Sequence, residues 1–193
     1  RLGLGYDEDL HLLFGLIDET RNAGCKKFFI HARNAILNGL SPKKNRKIPK
    51  LRYDDVLKVK NKYSDIELYL NGGLEDILGI QNNISLFNGI MIGRKVYDDP
   101  MFLRIIEKEV FNDKAVITRK DIINEYLKYA EPLSKEGISN YLLLRHLFSL
   151  YYNTSSAKKW KKYLHDIIQN NKKITSINDF EELVYEEKIL SYS

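Results

Sequence analysis

Through residues 1–92 the chain alternates short apolar runs with stretches of helical periodicity, and this alternation limits the fold more than any other feature. Arg1-Leu2-Gly3-Leu4-Gly5 reads as a strand running into a turn. Lys27-Phe28-Phe29-Ile30, Ile66–Leu70 and Phe87–Ile92 read as buried strands. Between them, Glu8–Ala23 carries Leu10, Leu13, Phe14 and Ile17 at amphipathic spacing, with Gly24 placed to end the helix in a left-handed conformation. Tyr53–Tyr63 is predicted helical, with Asp54 and Asp55 favourably placed in its first turn. Leu74–Ile80 is predicted as a third helix. Strands and helices in strict alternation form parallel βαβ units with right-handed crossovers. Four such strands make either half of an eight-stranded barrel or a small open sheet, and the half barrel is preferred because polar motifs gather at one rim.

After Pro100 the pattern changes. Met101–Phe111, Arg119–Ala130, Lys135–Tyr152, Ala157–Asn170 and Ile177–Leu190 carry helical periodicity without a convincing strand. Thr118 with Asp121 resembles a capping box, and Ser176 or Asn178 is placed to cap the last helix. The break between the two patterns falls at Asn112–Ile117.

The motifs follow the strands. His31-Ala32-Arg33, Asn71-Gly72-Gly73 and Gly93-Arg94 each sit just past an apolar run. Glycine corners at successive strand ends let backbone N–H groups approach an anion, and an adjacent arginine adds charge, so the two corners suggest a phosphate-bearing ligand. A strand-to-helix turn alone explains one glycine of the Gly72-Gly73 pair. His31 is open to two readings, a packed structural histidine or a donor at the barrel mouth. Arg33, on the same side of its strand by the two-residue period, is suited to clamp a phosphate or a carbonyl oxygen. Residues 34–52 form a long loop, of a length that usually carries function.

Net charge is +5 and is unevenly distributed. Lys43, Lys44, Arg46, Lys47, Lys50, Arg52, Lys58, Lys60 and Lys62 are opposed only by Asp54 and Asp55 between residues 41 and 62. Arg145, Lys158, Lys159, Lys161, Lys162, Lys172 and Lys173 are opposed only by Asp166 between 141 and 175. Two such clusters suit a polyanion, or form solvated lysine-rich faces. Cys25, the single cysteine, excludes a disulfide framework, favours a reducing compartment and is expected to be a small buried residue rather than a nucleophile. No apolar stretch is long enough to span a bilayer. No zinc-protease, P-loop or G-x-S-x-G motif occurs. The paired carboxylates Glu181-Glu182 and Glu186-Glu187 read as a solvated helix face.

The run from Phe29 through His31, Arg33, Asn34, Pro42, Lys43, Lys44 and Arg46 to Ile48-Pro49, then Leu51-Arg52-Tyr53-Asp54, closely resembles the flavin-dependent tRNA-dihydrouridine synthases of the A type. Asn71-Gly72-Gly73 and Gly89-Ile90-Met91-Ile92-Gly93-Arg94 follow in register. Arg145-His146-Leu147 and Ala157-Lys158-Lys159-Trp160-Lys161 resemble the family's C-terminal signatures, and Arg1-Leu2-Gly3 resembles its fifth barrel strand.

The resemblance implies an α/β fold, the C-terminal half of a TIM (β/α)8 barrel followed by an all-α helical domain, with a flavin-binding part over 1–112 and a tRNA-binding part over 113–193. It implies FMN at the barrel mouth, NADPH as reductant, and hydride transfer to the C5–C6 bond of a D-loop uridine of tRNA. His31 is then expected to contact the flavin, and Asn71, Gly72, Gly73, Gly93 and Arg94 to hold its phosphate. Lys43, Arg46, Arg33, Arg145, Lys158 and Lys161 are expected to meet tRNA. The family's first four strands and its proton-donating cysteine have no counterpart here; Cys25 does not match that cysteine, and a flavin-contacting lysine would fall two residues before Arg1. No catalytic residue is therefore expected in this chain, and these residues alone are not expected to catalyse the reaction. A cytoplasmic protein, monomeric when intact, with no metal and no membrane partner, completes the expectation. Two other readings are a phosphate-binding barrel enzyme acting on a small metabolite and a non-catalytic RNA-binding fragment.

Overall fold

A computed structural model describes residues 2–5, 10–36, 39–45 and 47–180. The described residues divide into two compact units, Arg1–Lys95 and Val96–Ser193.

The first unit is α/β with a parallel sheet. Strands β1 (Leu2–Gly3), β2 (Lys27–His31), β3 (Glu67–Asn71) and β4 (Gly89–Met91) lie in sequence order, all parallel. Helix α1 (His11–Asn22) connects β1 to β2. A one-turn helix α2 (Pro42–Asn45) and α3 (Tyr53–Lys62) connect β2 to β3, and α4 (Ile77–Ile84) connects β3 to β4. Burial alternates along β2 and β3: Phe28, Ile30, Leu68 and Leu70 are fully buried or nearly so, and Phe29, His31, Tyr69 and Asn71 on the other face are half-buried. The buried face joins Leu13 and Ile17 of α1, Val56 and Val59 of α3 and Ile80 of α4 in the core of this unit. On the half-buried face, the Phe29 and Tyr69 rings stack at 4.7 Å, and Lys27 pairs with Glu67 at 3.2 Å below them.

The register decides where the strands end. Gly3 is level with His31, His31 with Asn71, and Asn71 with Met91. One row of residues therefore crosses the sheet at its carboxyl edge, and the motif-bearing corners leave from the same level.

Several expected boundaries move. Gly24 is left-handed, at φ 99°, as its place after α1 predicts. Cys25 is exposed rather than buried, because it lies in the connection before β2; its thiol donates to the Lys27 carbonyl at 3.6 Å. The helix expected at Leu74 begins at Ile77, since the Asp76 side chain accepts from the Gly79 N–H and caps it there.

The second unit is helical among its described residues. Helix α5 (Arg94–Asp98) spans the division, followed by α6 (Phe102–Phe111), α7 (Arg119–Lys135), α8 (Asn140–Leu144), α9 (Ala157–Gln169) and a 3₁₀ turn over Ile174–Asp179. Thr118 and Asp121 form the predicted capping box at the start of α7. Helix α7 runs on through Pro132 instead of stopping at Ala130. The long helix expected over Lys135–Tyr152 is instead α8 followed by successive three-residue turns. Leu144, Leu147 and Leu150 recur every third residue, and their amides bond back at that spacing (Leu147 N–H to Leu144, Leu150 N–H to Leu147). The Leu147 and Leu150 carbonyls also accept from Trp160 Nε1 and Arg119 Nε, at 2.7 and 2.9 Å. The core of this unit closes on Trp160, whose ring lies 4.8–4.9 Å from those of Tyr151 and Phe180. Of the last predicted helix, residues 181–190 lie outside the described residues, as do both carboxylate pairs. No helix among the described residues is long and apolar enough to cross a membrane, and no metal-ligand cluster of His, Cys, Asp and Glu occurs among them.

Candidate functional site

The level row of strand ends opens a cleft of about 180 Å³ in the first unit. His31, Asn71, Gly72, Gly73, Gly93 and Arg94 all line it, with Leu74, Glu75 and Lys95. The six residues picked out for cofactor contact are thus gathered in one place, at or just past the ends of three neighbouring strands.

Each corner has a local cause. Gly72 and Gly73 adopt φ of 108° and 69°, which other residues rarely tolerate. A Cβ on Gly72 would meet the His31 ring at 3.0 Å, and one on Gly73 would meet Leu51 Cδ1 at 2.3 Å. The second glycine thus has a local cause of its own, its left-handed backbone and the Leu51 side chain packed against it. Gly93 differs: a Cβ there would meet nothing within 4 Å, so that corner is open. Among the described residues no group accepts from the Gly73 N–H.

The wall behind the Gly72–Gly73 corner is the return leg of the long loop. Tyr53 Oη donates to the Gly72 carbonyl at 2.7 Å, and Leu51 packs on Gly73. Arg52 anchors this leg. Its N–H donates to the Ala32 carbonyl at 2.9 Å, and its guanidinium bridges Asn34 Oδ1 (2.7 Å) and the buried Asp55 (2.5 Å). Asp55 also takes Lys58 Nζ at 2.7 Å. Burial works against this carboxylate, yet hydrogen bonds from Lys58 and Arg52 hold it below its usual range.

Arg33, expected to reach tRNA, donates through Nη1 to the carbonyls of Pro49 and Lys47. It staples the far end of the same loop to β2. Tyr53 and Leu51 behind the cleft, and Leu74, Glu75 and Lys95 in its lining, are residues that the sequence does not single out. Tyr53 and Leu51 sit inside the run 51–54 that carries part of the family resemblance, but nothing in their type marks them as partners of a glycine pair about twenty residues on.

Burial pushes the His31 imidazole below its ordinary 6.5, and the Arg33 and Arg94 charges lower it further. Its ring is therefore neutral at physiological pH. Because the folded chain binds this proton less readily than the unfolded one, His31 costs stability as pH falls through 6.5 towards the lowered native value. In an NMR titration, the His31 midpoint should lie below 6.5 and rise in Arg94→Ala; a midpoint that stays put or falls would remove Arg94 from its surroundings.

The basic residues are dispersed. Lys43 is exposed on α2, and Arg46 lies outside the described residues. In the second unit Arg145 is exposed beside His146, its Nε 3.1 Å from His146 Nε2. Lys158 and Lys161 project from α9 away from its buried line of Trp160, Leu164 and Ile167. A larger groove, of about 580 Å³, lies along α6 and residues 112–117. Its wall mixes aliphatic side chains with Lys108, Glu109 and Lys114, and Arg104 is tied to Glu107, Asp113 and the Ala115 carbonyl.

The lining of the smaller cleft combines glycine backbone at two corners, the Arg94 and Lys95 cations and a neutral imidazole, a set suited to an anion, with the Glu75 carboxylate beside it. This fits the phosphate end of a cofactor such as FMN. The volume is below the roughly 300 Å³ at which whole-ligand pockets begin, so it accommodates part of such a molecule.

A family model described as dihydrouridine synthase (Dus) matches residues 1–187. The chain is similar to proteins named tRNA-dihydrouridine(20/20a) synthase. The one from Synechocystis sp. is 34% identical over 167 residues, covering 86% of this chain and 50% of that protein. The one from Pseudomonas putida is 33% identical over 165 residues, 85% and 49%. The one from Shewanella oneidensis is 33% identical over 172 residues, 89% and 51%. The chain thus spans about half the length of the curated relatives it matches.

Proposed function

The chain belongs to the dihydrouridine synthase family, and on that basis we propose that it is the cofactor-phosphate and RNA-binding part of an enzyme that reduces uridine to dihydrouridine in tRNA. The names of its relatives carry the designation 20/20a, and the family resemblance implies a D-loop uridine as the target. In this reading the four parallel strands are the C-terminal half of a TIM barrel, with the flavin-facing part over 1–112 and a helical tRNA-binding part over 113–193. The half-buried face of β2 and β3, carrying Phe29 and Tyr69, becomes the barrel interior.

FMN, when bound, supplies hydride transfer, with NADPH as the reductant. This chain's residues supply placement. The amides of Gly72, Gly73 and Gly93 and the Arg94 guanidinium hold the phosphate. Asn71, level with His31, lines the approach. His31 meets the flavin as a neutral ring and so adds no positive charge beside Arg94. Arg33 and Arg52 fix the basic loop, and Lys43, with Arg46, meets the RNA backbone. Arg145, Lys158 and Lys161 engage tRNA from the helical part. No group in this chain is assigned proton donation to the uridine, which is left to a residue elsewhere in the full protein. A monomeric protein working in the cytoplasm completes the proposal.

One observation carries it: two glycine corners and His31, far apart in sequence, line a single cleft at the carboxyl edge of a parallel sheet. The test is the full-length protein incubated with NADPH and an unmodified tRNA transcript, with mass-spectrometric mapping of dihydrouridine. Flavin that co-purifies, together with conversion in the D-loop, supports the reading. Absence of both overturns it.

A further inference from the structure

We propose that Tyr53 is a positioning residue for the anion-binding corner: its hydroxyl, by donating to the Gly72 carbonyl, sets the orientation of the Gly72–Gly73 peptide and so aims the Gly73 N–H into the cleft. The inference rests on the reading of that cleft as a phosphate site.

The argument starts from peptide geometry. In a planar trans peptide the C=O of one residue and the N–H of the next point in opposite directions. Tyr53 Oη lies 2.7 Å from the Gly72 oxygen, on the side of the corner backed by Leu51 and Tyr53. The Gly73 N–H on the same peptide therefore points away from that wall, and no protein group among the described residues accepts from it. Glycine at φ 108° followed by glycine at 69° is a soft hinge, because neither residue has a Cβ to restrict it. Without an external tether this peptide is free to rotate and turn the N–H out of the cleft.

Tyr53 is itself well held. It opens α3, and the preceding residue is fixed by its N–H to Ala32 and by its guanidinium to Asn34 and Asp55. Burial raises the Tyr53 phenol above its ordinary 10, so it remains a donor across the working pH range. The same short segment ends the basic loop that Arg33 staples through Pro49 and Lys47. A displaced loop would therefore be felt at the phosphate corner.

The test uses the full-length protein stripped of flavin and titrated separately with FMN and with riboflavin, which lacks the phosphate. Tyr53→Phe keeps the ring and removes only the donor. Its Kd for FMN should rise about five- to tenfold, the value of one hydrogen bond, while its Kd for riboflavin stays within about twofold. Inorganic phosphate should also compete less well with FMN in the variant. A change of equal size for both flavins marks Tyr53 as merely structural and overturns the proposal, as does no change in either. Gly73→Ala is the second variant, and its loss should again fall on FMN rather than riboflavin. A wild-type protein that binds the two flavins equally well defeats the phosphate reading itself, which separates that failure from a failure of Tyr53.

Discussion

Arg94→Ala in the full-length protein should weaken FMN binding by about 10- to 100-fold and change tRNA binding by less than about threefold. Arg94 stands at the open Gly93 corner, on the rim of the cleft, where a guanidinium adds charge-assisted hydrogen bonds to those of the backbone. Removing it subtracts the only arginine among the cleft-lining residues. Lys43→Ala should do the reverse. It lies exposed on the one-turn helix of the basic loop, so its loss should leave FMN untouched. The slope of log affinity against log salt for tRNA should become shallower by about 0.7–0.9. Flavin titration and filter binding across a salt series measure both. If each substitution weakened both ligands by the same factor, the division of labour between cleft and loop would be wrong.

Trp160→Ala should destabilise the helical unit by about 3–5 kcal/mol. The indole is fully buried, sits between Tyr151 and Phe180, and donates to the Leu147 carbonyl at 2.7 Å. Truncation removes a large apolar surface, leaves a cavity that the surrounding turns cannot refill, and strips a donor from a buried carbonyl. Trp160→Phe should cost less, about 1–3 kcal/mol, since the ring cluster survives and the donor does not. Denaturant unfolding followed by far-UV circular dichroism measures both. A Trp160→Ala loss under about 1 kcal/mol would mean that the ring cluster does not hold this unit together.

Alternation and glycine placement made the parallel order and the site corners legible in the sequence, because both follow from local rules: two-residue and 3.6-residue periods, and polar residues at strand ends. What stayed hidden was long-range. Nothing in Tyr53 announces that its hydroxyl closes on Gly72, and nothing in Leu51 shows that it fills the space a Cβ on Gly73 would need. Helix limits failed where a side chain competed with periodicity. Asp76 delayed α4 by capping it late, and the Leu144, Leu147, Leu150 repeat wound as three-residue turns instead of a helix. Cys25 departs from its expected burial because the connection it occupies is exposed, although an apolar strand begins just beyond it. Of the basic residues, Arg33 shows the limit of charge as a guide: its guanidinium serves the loop's own carbonyls.

The level row Gly3, His31, Asn71 and Met91 has a consequence for how this protein tolerates change. Side chains on a strand alternate faces, so deleting a single residue within β3 would turn Asn71 to the opposite side while leaving the backbone ladder able to re-form. The sheet would persist and the cleft would lose one wall. An insertion in the connection between α2 and α3 shifts no strand against its neighbour. Length variation among homologous sequences should therefore concentrate in the connections and be nearly absent between Lys27 and His31 and between Glu67 and Asn71.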